Sequence, residues 1–105
     1  MTGPYITDMR HFVDEQREIP EDLPAVPRYI GAIVAAASPL PVGRTFPLEL
    51  RCRRRPGHQS CPGSVHTRID PDTAEIFWFC PCCDDHGFAY NWHDSPWDRR
   101  PTHRA

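Results

Sequence analysis

The apolar positions of residues 28–38, RYIGAIVAAAS, repeat with the period of an α-helix. At 3.6 residues a turn, one face collects Tyr29, Ile30, Ile33, Val34 and Ala37. The alanines favour helix, Pro27 is tolerated in a first turn, and Pro39 with Pro41 stops the helix. The pattern therefore predicts a helix over residues 26–37.

Upstream of this helix the apolar pattern is weaker. Residues 8–18, DMRHFVDEQRE, place Met9, Phe12 and Val13 on one side and predict a short helix. Three prolines within residues 19–27 then exclude a continuous helix. Residues 39–45, PLPVGRT, have the composition of a linker.

Beyond residue 45 the apolar positions alternate, as in half-buried β-strands. The predicted strands cover residues 46–52, 64–70 and 74–80, with a further one at 88–92. In residues 74–80, one side carries Ile76, Trp78 and Cys80, and the other carries Phe77 and Phe79. The turn sequence DPDT between the second and third strands predicts a β-hairpin over residues 64–80.

Together these elements predict a small α+β fold, in which an N-terminal helix (about 26–37) packs with an antiparallel β-sheet (about 46–92). We expect three parts: a helical segment and linker at 1–45, a β-rich domain at 46–98, and a disordered tail at 99–105.

The composition predicts that the hydrophobic core needs support from a cross-link, such as a bound metal ion. A chain of 105 residues with 39% hydrophobic residues and 13 prolines has little material for a core. No apolar run approaches the roughly 20 residues of a membrane span, and the acidic N-terminal stretch is unlike a signal peptide. We therefore expect a soluble, cytoplasmic protein without a membrane partner, in a compartment whose reducing conditions argue against disulfides.

The spacing of the cysteines predicts that this cross-link is a metal site. Eight residues separate Cys52 from Cys61, 18 separate Cys61 from Cys80, and two separate Cys80 from Cys83. The last pair is a C-x2-C knuckle, and the middle gap lies within the ~15–20 residues of a four-cysteine zinc site. Four thiolates satisfy the tetrahedral preference of zinc. We predict one structural Zn²⁺ per chain, bound by these four cysteines.

Three further side chains are alternative ligands. Cys82 lies inside the knuckle, next to Cys83, and is the expected spare, either a free thiol or an exposed redox-sensitive one. His58 and His86 lie three residues from a cysteine and could replace one, most readily His58 for Cys52.

An arginine cluster precedes the second cysteine. Residues 46–70 carry a net charge of +3 within a chain of −2. The candidate nucleic-acid or partner-binding residues are Arg51, Arg53, Arg54, Arg55, Trp78 and Trp92, because arginines bind phosphates and aromatic rings stack on bases. The same arginines could instead offset thiolate charge, and the aromatic residues could form the core. We favour a protein partner and keep nucleic acid as the alternative.

Signs of catalysis are weak. The zinc-deaminase signature, the phosphate-binding loop, G-x-S-x-G and H-E-x-x-H are all missing from the sequence. Asp84 and Asp85 are more typical of a turn than of acid–base catalysis. We expect a non-enzymatic binding protein with no small-molecule substrate, and a zinc- or thiol-dependent enzyme is the least favoured alternative.

The segments LRCRRRPGHQSCPG and IFWFCPCCDDHG resemble a group of small bacterial zinc-ribbon-like proteins. That group shares an arginine-rich first cysteine loop, then W-x-C-P-x-C-x-D-x-G, a tryptophan and a terminal W-D. The matching residues are Trp78, Cys80, Pro81, Cys83, Asp85, Gly87, Trp92, Trp97 and Asp98. The resemblance covers about half the chain and implies a ribbon fold with a four-cysteine site, but no activity. The chain departs from the pattern in having Asp84 where glycine is common, and in the extra Cys82.

Overall fold

One α-helix packs against one face of a five-stranded mixed sheet in the computed structural model, which describes residues 4–101. The strands are β1 (Tyr5–Asp8), β2 (Thr45–Arg51), β3 (Ser64–Ile69), β4 (Ile76–Phe79) and β5 (His86–Tyr90), and the helix is α1 (Ala25–Ala37). The strand order is β1-β5-β4-β3-β2. This confirms the small α+β fold predicted from the sequence.

Helix α1 begins one residue before its predicted start and ends where predicted. Pro24 precedes it with extended backbone (φ −60°, ψ 164°), and at the other end the Ser38 amide donates to the Val34 carbonyl at 2.8 Å. The buried residues of the helix, including Ile30 and Ile33, follow the predicted apolar face. The helix therefore lies over the inner face of the sheet, where it contacts β2, β3 and β4.

The predicted hairpin is present as the antiparallel pair β3–β4, with Thr67 opposite Trp78. Its turn is held by Asp70, whose carboxylate accepts hydrogen bonds from the amides of Asp72 (2.8 Å) and Thr73 (3.0 Å). This is an Asx-type turn, as the DPDT sequence predicts. The hairpin brings the ends of β3 and β4 that adjoin cysteines to the same edge of the sheet.

The first strand was not predicted. β1 pairs in parallel with β5, with Tyr5 opposite Gly87 and Asp8 opposite Tyr90. The sheet is therefore mixed, because β2 to β5 form the expected antiparallel arrangement and β1 adds a parallel edge. A Cβ atom on Gly87 would collide with the Tyr5 carbonyl and with the Trp78 ring, at 2.7 Å from Cζ2. Glycine therefore lets β1 lie close to β5.

The short helix predicted over residues 8–18 is reduced to a single 3-10 turn, Met9–Phe12. The reason lies in Asp14, whose carboxylate accepts hydrogen bonds from the amides of Gln16 and Glu18, both at 2.9 Å. A side chain that binds these amides competes with the helical hydrogen bonds they would otherwise make.

The core lies between α1 and the inner face of the sheet. It contains side chains of both layers, including Trp78, Ile33 and Ile76, and also Trp97 from the segment after β5. Trp97 packs so closely on Gly31 that a Cβ atom there would lie 2.8 Å from the indole Cδ1. None of the helices within residues 4–101 combines the length and the apolarity that crossing a membrane requires.

The predicted tail lies only partly within the described residues. The Arg99 amide donates to the Ser38 hydroxyl at 2.8 Å, which ties this part of the chain to the end of α1. Residues 102–105 lie outside the described residues.

Candidate functional site

Four cysteines meet where β2 and β4 end and β3 and β5 begin. We call this end of the sheet the cysteine edge. Cys52 follows β2, Cys61 lies just before β3, Cys80 follows β4, and Cys83 lies in the loop that leads to β5. All four Sγ atoms lie within 4.8 Å of one another, and no other group of metal-ligating side chains forms in the part of the chain described. The strand pairing explains the convergence, because β2–β3 and β4–β5 each deliver one cysteine pair to the same edge.

The sulfur geometry fits a tetrahedral metal ion. Cys52 Sγ lies 3.6 Å from Cys83 Sγ, and Cys61 Sγ lies 3.6 Å from Cys80 Sγ. With metal–sulfur bonds of ~2.3 Å, a tetrahedral site has sulfur–sulfur edges of about 3.8 Å. The donor set therefore fits zinc in both chemistry and spacing.

Backbone amides point at the sulfurs. The Arg54 amide donates to Cys52 Sγ and the Gly63 amide to Cys61 Sγ, each at 3.5 Å. Both donors lie two residues after the cysteine, so each loop turns around its own sulfur. Hydrogen bonds of this kind favour the thiolate form that a metal requires.

The loops are also braced against each other by their backbones. The Cys52 amide donates to the Gly63 carbonyl, the Cys61 amide to the Arg54 carbonyl, and the Cys80 amide to the Asp85 carbonyl, all at 2.9 Å. The cysteine edge is thus held by main-chain hydrogen bonds between the loops.

The thiols differ in their readiness to ionise. Burial raises the pKa of the Cys52 thiol, and hydrogen bonding with the neighbouring thiols raises it further. Burial likewise raises the pKa of Cys83. Burial also opposes ionisation of Cys80, but the amides of Cys82 and Cys83 donate to its sulfur and bring its pKa below the ordinary value. A metal ion that binds here must therefore displace protons from buried thiols.

The three alternative ligands lie outside the cluster. Cys82 and His58 are exposed, and His86 Nδ1 lies 2.6 Å from the Asp84 carbonyl oxygen. Cys82 is nevertheless close to the site, because its Sγ and that of Cys80 lie 3.1 and 2.5 Å from the point that a Cβ on Gly63 would occupy. The cluster of four sulfurs does not include that of Cys82.

Comparison with known proteins adds no relative to this picture. No family model matches the chain, and neither the curated proteins nor the solved structures show a significant match. The resemblance to zinc-ribbon-like proteins therefore rests on the motif residues alone.

The arginine cluster is divided by the fold. Arg53 turns inward, where its Nη2 lies 3.4 Å from Asp85 Oδ1 and its guanidinium lies 4.8 Å from the centre of the Tyr5 ring. Arg51 and Arg55 are exposed, and Arg54 is half-buried. The cluster therefore offers fewer free guanidinium groups than its sequence density indicates.

Asp85 forms a buried ion pair that the sequence did not reveal. It was predicted as a turn former, yet its side chain is 1% exposed and is paired with Arg53. Asp85 Oδ2, Arg53 Nε, Tyr29 Oη and Trp78 Nε1 are buried without hydrogen-bond partners among the described residues. Burial raises the pKa of Tyr29, and the nearby Cys52 and Asp85 raise it further. A polar cluster thus lies between the cysteines and helix α1, and its sequence signal was the placement of Arg53 and Asp85 one and two residues from predicted ligands.

The two tryptophans proposed as stacking surfaces face the core. Trp78 is 1% exposed and packs edge-on against Tyr29, and Trp92 is 2% exposed and donates to the Ala74 carbonyl at 2.7 Å. Neither ring is available to a base or a partner in this conformation.

A different set of apolar residues lies on the opposite side of the sheet, which we call the outer face. It consists of Phe77 and Phe79 of β4, Phe88 of β5 and Ile6 of β1. The Phe77 ring centre lies 5.4 Å from that of Phe79 and 5.1 Å from that of Phe88, so the rings form a continuous stripe. Helix α1 covers the inner face only, and the rings of the stripe remain half-buried.

Proposed function

We propose that this chain is a small, non-catalytic zinc-binding protein, in which one structural zinc holds a ribbon that serves as a protein-interaction module. The observation that carries the proposal is the convergence of Cys52, Cys61, Cys80 and Cys83, whose sulfurs lie within 4.8 Å of one another. Four sulfur ligands in tetrahedral spacing are typical of structural zinc sites.

The closed ligand set supports a structural role. Catalytic zinc sites keep three protein ligands and leave one position for water or substrate. Here four sulfurs complete the tetrahedron, and three of the four cysteines are buried. The metal would therefore stabilise the cysteine edge and leave no position for substrate, consistent with a protein that works in a reducing, cytoplasmic environment.

The outer face supports the interaction role. Ile6 is 70% exposed and lies in register with Phe88, at the border of the aromatic stripe. Apolar stripes of this kind on a small protein commonly mark a surface that a partner covers. The zinc centre lies at the end of β4 and so holds the strand that carries Phe77 and Phe79.

Nucleic acid remains the alternative partner, carried by the exposed Arg51 and Arg55. The ion pair of Arg53 with Asp85 and the burial of Trp78 and Trp92 weigh against it. Retention on single-stranded DNA across a salt series distinguishes the two partners. Binding with a steep salt dependence that is lost in Arg51→Ala/Arg55→Ala favours nucleic acid.

Metal content tests the central claim. Elemental analysis of protein purified without added metal should give about one zinc per chain, and it also distinguishes zinc from iron, the other metal that four thiolates commonly bind. Removing the metal with a chelator should abolish the near-ultraviolet circular dichroism of the buried tryptophans. A metal-free protein with the same spectrum and the same stability would contradict a structural zinc.

A further inference from the structure

A depression of the outer face lies at the end of the aromatic stripe that adjoins the cysteine edge. It has a volume of about 280 Å³, which is the space of about nine waters and enough for the end of a long side chain. The residues that line it and bear on its chemistry are Phe77, Phe79, Cys80, Cys83, Asp84 and Asp85. His86 also lines it and carries no formal charge at pH 7. The described lining contains no arginine, and the chain has no lysine.

Two phenylalanine rings form the apolar wall of this depression. The ring centres of Phe77 and Phe79 lie 5.4 Å apart, with their planes inclined at 23°, and both side chains are half-buried. The face of an aromatic ring attracts a cation that lies within about 6 Å of its centre. From Phe77 the stripe continues through Phe88 to Ile6. The wall therefore combines a site for a cation with an apolar surface beside it.

The polar wall of the depression is acidic. Asp84 is exposed and forms no ion pair within residues 4–101. Asp85 is 1% exposed, and its Oδ1 lies 3.4 Å from Nη2 of Arg53. Its other oxygen, Oδ2, is buried without a hydrogen-bond partner in the described part of the chain. The carboxylate of Asp84 is therefore a negative charge at this depression that no cation of the described chain balances.

A bound metal ion adds to this negative charge. Cys80 and Cys83 line the depression and belong to the cluster of four cysteines. Four thiolates exceed the charge of one Zn²⁺ ion by two units, so a zinc-loaded cluster is itself an anion. The arginines of the loop after Cys52 do not line the depression. The depression therefore lies between an anionic metal centre and an unbalanced carboxylate.

A second depression of the outer face, of about 250 Å³, has a different character. Its lining carries both signs of charge, because Arg68 lies there together with Asp70 and Glu75. It therefore selects neither a cation nor an anion. Of these two depressions, the one at the cysteine edge is the one that favours a cation.

We propose that the depression at the cysteine edge binds a lysine or arginine side chain of a partner protein, whose neighbouring apolar side chains cover the aromatic stripe. This inference rests on the proposed function and names the chemistry of the partner that the interaction module binds. Alternate side chains of an extended segment lie on the same face, about 7 Å apart, which is close to the 5.4 Å between the rings of Phe77 and Phe79. The expected recognition pattern is a basic residue two positions away from an apolar one.

A chemical-shift titration of the zinc-loaded, ¹⁵N-labelled chain with three short peptides tests the proposal. The basic probe is the acetylated and amidated peptide arginine–serine–leucine–serine–leucine, and its two controls carry glutamine or glutamate in place of arginine. The basic probe should shift the amide signals of Phe79, Asp84 and His86 in a saturable way. Its affinity should be about threefold to tenfold higher than that of the glutamine probe, and the glutamate probe should not saturate.

Variants of the chain identify the groups that cause this preference. Asp84→Asn should lower the affinity for the basic probe about threefold and leave that for the glutamine probe unchanged, because it removes only a charge. The matched control is Asp72→Asn, the same change at an exposed position of the β3–β4 turn, and it should leave both affinities unchanged. Phe79→Leu keeps an apolar side chain without a ring and should also reduce the preference for arginine over glutamine.

Equal affinities for the arginine and glutamine probes would overturn the proposal, and so would a basic probe that shows no saturable binding up to about 5 mM. Single-stranded DNA that shifts the same amides would overturn it as well, in favour of a nucleic-acid partner. Zinc content and amide dispersion, measured on the same samples, keep these outcomes separate from the zinc centre. A well-dispersed spectrum from protein without zinc would instead contradict the structural zinc of the proposed function.

Discussion

The guanidinium of Arg53 lies 3.4 Å from the carboxylate of Asp85, and this ion pair joins the two loops that carry the cysteines. Arg53 follows Cys52, and Asp85 lies two residues after Cys83, so each partner is anchored beside a predicted ligand. The same guanidinium lies over the rings of Tyr5 and Tyr29, at 4.8 and 5.8 Å from their centres. One side chain thus connects the cysteine edge, strand β1 and helix α1.

Removing both partners of this pair should cost less stability than the sum of the two single removals. Asp85→Asn leaves a guanidinium that is 23% exposed without its counter-charge, and we expect the free energy of unfolding to fall by about 2–4 kcal/mol. In the double variant Arg53→Gln/Asp85→Asn, the loss should be smaller than the sum of the two single losses. Urea denaturation of the zinc-loaded proteins measures the coupling, and strictly additive losses would show that the pair is not coupled.

Replacing the two knuckle cysteines Cys80 and Cys82 one at a time should have different effects on the metal content of the protein. Cys80→Ser should release zinc and unfold the cysteine edge, because it removes one of the four clustered sulfurs. Cys82→Ser should keep one zinc per chain and the wild-type melting temperature, because the Cys82 side chain is exposed and outside the cluster. Elemental analysis with thermal melts checks both, and zinc lost from Cys82→Ser would place that thiol among the ligands.

Gly63 should be required for metal binding because no space is left beside it for a side chain. A Cβ atom at this position would lie 2.5 Å from Cys80 Sγ and 3.0 Å from Cys82 Cβ. Gly63→Ala must displace a clustered sulfur, and we expect zinc affinity to fall about tenfold or more. Competition with a chelating indicator measures this change.

Gly57→Ala is the matched control for that experiment. Gly57 lies in the same cysteine loop, at φ +61°, with nothing within 4 Å of an added Cβ. Its substitution should cost about 1 kcal/mol through the left-handed backbone and leave zinc affinity unchanged. Equal effects of the two variants on zinc affinity would contradict a steric cause at Gly63.

Asp8 should contribute stability that depends on pH. Hydrogen bonds from the Arg10 side chain hold the pKa of Asp8 well below its usual range, with Nη2 and Oδ2 2.8 Å apart. A carboxyl whose pKa is lowered on folding stabilises the native state above its unfolded pKa of about 3.9. This contribution is lost as the pH falls through the folded value.

Asp8→Asn isolates that charge, because asparagine can still cap the 3-10 turn. We expect the variant to be less stable than the wild type by about 0.5–1 kcal/mol at pH 7, and the difference to shrink below about pH 4. Denaturation curves of both proteins at pH 7 and below about pH 4 check the sign of this change in the stability difference. A difference that persists or grows in acid would contradict an ionised Asp8 in the native state.

Local patterns in the sequence predicted the elements that depend on neighbouring residues. The helix over 26–37 and the hairpin over 64–80 follow from apolar periods and from a turn whose aspartate binds its own backbone. The convergence of the four cysteines followed from their spacing on either side of that hairpin. In each case the information lies within a stretch no longer than the 31 positions from Cys52 to Cys83.

The features that the sequence did not reveal depend on distant partners. β1 has no periodic signal in its four residues, and its only neighbour in the described sheet is β5. The alternation of residues 74–80 already placed Trp78 with Ile76 on one side, so its burial was implicit, whereas its proposed stacking role relied on residue type alone. The pairing of Asp85 with Arg53 was not predicted, because the two residues lie 32 positions apart in different cysteine loops and only the fold brings them together.

The parallel pairing of β1 with β5 also bears on the order in which the protein assembles. About eighty residues of chain separate the two strands, and such a distant contact carries a large loop-closure cost unless the intervening chain has already folded. Because β5 is its only neighbour in the described sheet, β1 cannot pair before β5 has been synthesised. We therefore expect β1 to join the sheet after the local antiparallel pairs β3–β4 and β4–β5 have formed.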